Sequence, residues 1–175
     1  MHVRQQALTA LALIFLAHGS FAQERKFGAW VTGVNESKAS VYAGTTNESQ
    51  GIFAQYCHIA DGNCHWVLLN AIECEVGSNY TIFVNADIGA STHETQCMKV
   101  DGKPRYTFHS GDEITAITLK SSKIAFAFPV GDSQFQVSRF SLSGSNEALD
   151  LMAKTGRQMM QKNKGKGKDT RDQML

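Results

Sequence analysis

Long apolar runs are nearly missing from this sequence. Beyond residue 22 no stretch reaches the roughly 18 apolar residues that a membrane-crossing helix needs. An excess of one charge is missing too, because 17 Lys and Arg face 16 Asp and Glu over 175 residues. Proline occurs only twice. Several chemical signatures are also lacking. There is no G-x-S-x-G elbow, no C-x-x-C or C-x-x-C-H, no phosphate-binding glycine loop and no EF-hand spacing. These gaps exclude the motif-defined hydrolases, redox enzymes, nucleotide binders and calcium sensors. They leave no cofactor to assign.

What is present begins with an address. Residues 1–22 carry His2 and Arg4, an apolar stretch over 7–17, and then Ser20-Phe21-Ala22. Small residues at the −3 and −1 positions complete the order of a secretory signal peptide. The apolar stretch is too short to span a bilayer. The expected compartment is outside the cytoplasm, either periplasmic or secreted. Residues 23–154 then form one domain, whose 42% hydrophobic content for the whole chain fits a folded core. Residues 155–175 read as a basic, disordered tail. From Thr155 onward there are six Lys and Arg and two Asp, against ten and fourteen in residues 23–154. The near-neutral total therefore conceals a mildly acidic domain with a cationic end. That end can contact an anionic surface. It carries no interleaved aromatic residue, so specific nucleic-acid binding is not expected.

Export decides how the cysteines are read. Cys57, Cys64, Cys74 and Cys97 are even in number, and oxidising compartments favour disulfides. Cys57 and Cys64 flank Asp61-Gly62-Asn63, a turn signal between apolar segments, so a hairpin would bring them together. Cys74 and Cys97 remain for the second bridge. The competing reading is a metal or redox carrier that uses Cys57, His58, Cys64 and His65 as soft ligands. A six-residue gap between the cysteines does not match zinc knuckles, and a bridged sulfur does not bind zinc. No metal is assigned.

Short segments separated by Gly, Asn, Ser and Asp recur at intervals of about ten residues. Strands are expected at 29–34, 39–43, 52–58, 64–72, 80–86, 94–99, 104–108, 123–128 and 134–141. Residues 124, 126 and 128 would fill a core from one side. In the last strand, 135, 137 and 139 share one face and 136, 138 and 140 the other. Residues 111–120 are ambiguous, since Ile114 and Ile117 have helical spacing in an Ile- and Thr-rich segment. A helix starts near Ser145 or Asn146, with Ala148, Leu151, Met152 and Thr155 as its stripe. Residues 23–28 are expected to be mobile. The expected fold class is all-β, an antiparallel β-sandwich of immunoglobulin-like layer architecture with one C-terminal helix.

Two stretches resemble a known family. Phe27-Gly28-Ala29-Trp30-Val31 resembles the opening of the invasion-associated locus B family of bacterial exported proteins. Val137-Ser138-Arg139-Phe140-Ser141-Leu142-Ser143-Gly144-Ser145-Asn146-Glu147-Ala148-Leu149 resembles its closing strand, its Ser-Leu-x-Gly turn and the start of its last helix. The family usually has a cysteine four residues after its tryptophan, where this chain has Val34, so its disulfide pattern does not transfer. The resemblance implies a bacterial periplasmic or secreted β-sandwich with a role in envelope biology or host interaction. It supplies no catalytic residue.

The expected function is therefore non-catalytic binding to a protein partner through an exposed sheet face or edge. The rival is a hydrolase built from a serine, His93 or His109, and Asp87 or Asp112.

Overall fold

The computed structural model describes residues 24–70, 72–100, 102–131 and 134–169. The proposed signal segment and the last residues of the tail lie outside that set. Ten strands follow in order: β1 (Arg25–Phe27), β2 (Trp30–Asn35), β3 (Ser40–Thr46), β4 (Ile52–His58), β5 (Cys64–Leu69), β6 (Asn79–Ala86), β7 (Gly89–Val100), β8 (Lys103–Phe108), β9 (Lys123–Gly131) and β10 (Gln134–Ser141). Helix α1 (Gly111–Lys120) joins β8 to β9, and α2 (Ser145–Asp169) follows β10. The all-β class with a terminal helix stands, with α1 as an addition.

All ten strands form one antiparallel sheet in the order β1-β2-β3-β4-β5-β8-β7-β6-β9-β10. The two layers expected of a sandwich are limbs of this single sheet, which bends until its inner faces meet. Phe53 of β4 lies 4.9 Å from Phe126 of β9 and 5.9 Å from Phe140 of β10, ring centre to ring centre. Trp30 packs edge-on to Phe53 and Trp66, and Trp66 stacks on Phe53 at 4.7 Å. This aromatic cluster is fully buried and is the centre of the core. The ends of the sheet are tied by the Trp30 indole N–H, which donates to the Ser141 carbonyl at 3.0 Å. The Ala29 amide likewise donates to the carbonyl of Ser143 at 2.9 Å.

Period-two patterning explains most of the strands. Ile124, Phe126 and Phe128 are buried, as are Ser138 and Phe140, whereas Phe135, Val137 and Arg139 face outward. The segment 111–120 resolves as a helix because Ile114 and Thr118, four residues apart, share the buried face. The Trp66 indole N–H donates to the Thr115 hydroxyl at 2.8 Å and fixes α1 on the sheet.

Two expectations need correction. Residues 25–27 are a strand paired with β2, not a mobile end, because Gly28 and Ala29 dock against Ser143. Helix α2 also continues beyond residue 154 to Asp169. Its apolar stripe does not end at Thr155. Gly156 is buried, and Met159 and Met160 pack against the core, so burial carries the helix through a sequence of weak intrinsic preference.

Candidate functional site

The cysteines settle the first question. Cys57 is bridged to Cys64 and Cys74 to Cys97. Cys57 and Cys64 are direct cross-strand partners in the β4–β5 hairpin. Strand alternation sends neighbouring residues to opposite faces, so Cys57 and Cys64 line a groove beneath α2 while His65 opens on the other side of the sheet. His58 and His65 are exposed, with rings 6.3 Å apart. The four ligands considered for a metal carrier therefore do not converge on one point. Among the described residues no group of three or more His, Cys, Asp or Glu is placed to hold a metal.

His93 and His109 have different surroundings. His109 is exposed at the end of β8. His93 is buried on β7 and bonded on both ring nitrogens, to Ser91 Oγ and to Ser110 Oγ at 2.8 Å each. A Glu113 carboxylate oxygen lies 3.5 Å from Nδ1. That carboxylate favours the proton on Nδ1. Nδ1 then donates to Ser110, and the Ser91 hydroxyl donates to Nε2. Burial pushes the imidazole below its ordinary range, and Glu113 opposes the shift. The acids named from sequence lie elsewhere. Asp87 accepts from the Ser122 amide and hydroxyl at 2.6 Å, which holds its carboxyl below the usual range. Asp112 is exposed in the first turn of α1.

Two concave surfaces stand out beside the histidine sites. The first is the groove of about 450 Å³ between α1, α2 and the β3–β5 limb. Leu119, Leu149 and Met160 form apolar walls above the Cys57–Cys64 bridge. The second is the outer face of β6, β9 and β10, hollowed to about 470 Å³. Register places Phe83, Ala127 and Val137 in one row and Asn85, Ala125 and Arg139 in the next. The two alanines on the central strand make a low floor. Phe83 and Phe135 stand above it, edge to face at 5.6 Å. Phe83 is 46% exposed, Phe135 52% and Val137 39%. Among the described residues β10 pairs only with β9, so its other edge carries no strand. The outward set of β10 was legible in the alternation of 134–140. The hollow was not, because Phe83 joins it from about 50 residues away in sequence.

No family model matches the chain, and no curated protein matches it. A search of solved structures finds a similar fold in the crystal structure of invasion associated protein B from Bartonella henselae. The alignment covers 77% of this chain and 99% of that one, at 14% identity and a TM-score of 0.53. The fold of this chain is thus similar to that of a bacterial invasion-associated protein.

Proposed function

We propose that this is an exported, non-catalytic accessory protein of the bacterial envelope that docks a protein partner on the outer face of β6, β9 and β10. The exposed Phe83–Phe135–Val137 cluster around an alanine floor carries this reading. Exposed aromatic residues grouped in a hollow mark interaction sites more often than chance placement does. The unpaired edge of β10 beside them offers backbone donors and acceptors to an extended segment. Two disulfides fit an oxidising compartment. The fold is similar to that of a protein described as invasion-associated, which fits an accessory role of this kind. The test is a photo-crosslinking residue in place of Val137, activated in intact cells. One dominant adduct is expected, lost in the Phe83→Ser/Phe135→Ser variant at unchanged expression. No adduct, or an adduct indifferent to the two phenylalanines, refutes the reading.

The order Ser91–His93–Glu113 supports a second reading, in which Ser91 is a nucleophile with His93 as its base. A fluorophosphonate probe should then label wild-type protein and not Ser91→Ala or His93→Gln. Absence of labelling in wild-type protein removes this reading.

A further inference from the structure

We propose that a hollow on the outer side of the β4–β5–β8 region binds a tetrahedral oxyanion, namely a phosphate monoester or sulfate on a small carbon skeleton. The hollow measures about 310 Å³, within the range of small-ligand sites. Lys38, Lys99, His58 and His65 line it, and among the described residues no Asp or Glu does.

A second observation points to a ligand. Thr107 also lines the hollow, is 5% exposed, and has a buried hydroxyl without a hydrogen-bond partner among the described residues. Folded proteins seldom leave such a group unused.

The donor types choose the anion. Ammonium groups act as point charges, and imidazole N–H and hydroxyl groups add directional donors that do not lie in one plane. That set suits a tetrahedral oxyanion. A planar carboxylate is better served by a guanidinium fork, and none lines the hollow. Val67 and Met98 provide an apolar wall for the carbon portion. This site lies on a different part of the sheet from the Phe83–Phe135 surface, so either assignment can fail alone.

Calorimetric titration of the full protein with inorganic phosphate and with glucose 6-phosphate tests the proposal. One site per chain is expected, with tighter binding of the organic ester. Thr107→Val and Lys99→Gln should each weaken binding about tenfold, and Thr107→Val should leave the melting temperature equal or higher. Vesicles of phosphatidylcholine with phosphatidic acid separate the two sources of the phosphate group. Vesicle binding that inorganic phosphate displaces, and that both variants lose, supports a lipid headgroup. Binding of the soluble esters without vesicle binding supports a free metabolite. No binding of either ester at about 10 mM, or binding indifferent to both variants, overturns the proposal.

Discussion

Removing the disulfides one at a time should destabilise the protein in a fixed order. The bridges close loops of sequence separation 7 and 23. The chain-entropy relation assigns them about 2.5 and 3.5 kcal/mol of unfolded-state restriction. Packing acts in the same direction. Cys97 is 1% exposed in the core, whereas Cys64 lies at the surface, so Cys74→Ala/Cys97→Ala also loses buried sulfur contacts. The longer bridge should therefore cost at least about 1 kcal/mol more than the shorter one. At about 3 °C per kcal/mol the melting temperature falls by about 8 °C for Cys57→Ala/Cys64→Ala and by 10 °C or more for the other pair. Urea unfolding followed by tryptophan fluorescence is the assay, because Trp30 and Trp66 are fully buried and report on the core. A reversed order, or equal midpoints at equal slope, would refute the entropic account.

Three further outcomes follow from single residues. Thr115→Val leaves the buried Trp66 indole N–H without its acceptor and should cost about 1–3 kcal/mol, read as a lower urea midpoint. Gly144→Ala should cost about 3 kcal/mol in thermal unfolding, since its φ is +86° and an added Cβ would lie 1.9 Å from the Phe27 carbonyl oxygen. His93 is held neutral by burial, with its pKa below the ordinary 6.5. The unfolded chain then binds more protons at mildly acidic pH, so stability is full above about pH 6.5 and declines as pH falls below it. The slope from this group is at most about 1.4 kcal/mol per pH unit. Its disappearance over pH 6.5 to 5 in His93→Gln, by denaturant midpoints at each pH, is the check.

Much of the fold could be read from the sequence, for reasons that particular residues show. Alternation in 124–128 and 134–140 is a local signal, and burial on one face follows it. The Cys57–Cys64 pairing was legible because the intervening turn signal is local too. What escaped is what depends on distant partners. Residues 25–27 are few and carry one apolar side chain, Phe27, and pairing with β2 and the docking of Ala29 on Ser143 order them. The far half of α2 has Gly156 and several lysines in sequence, and its Met159 and Met160 contacts exist only once the sheet is formed. The candidate surfaces share this origin. Phe83 meets Phe135, and Lys38 and Lys99 come to line one hollow, only after the strands have been ordered in space. His93 stood out as a titratable residue, but its partners Ser91, Ser110 and Glu113 carry no motif.

The bond from Trp30 to Ser141 spans 111 positions of sequence. It therefore sets a schedule for folding as well as a shape. A chain emerging amino end first can form the β3–β4–β5 meander early, but its central tryptophan lacks its last neighbours until β9 and β10 arrive. Contacts of such long range slow the final step. They also leave the nascent molecule open and unlocked until nearly all of it has been delivered. The order of assembly is thus written into which strands meet.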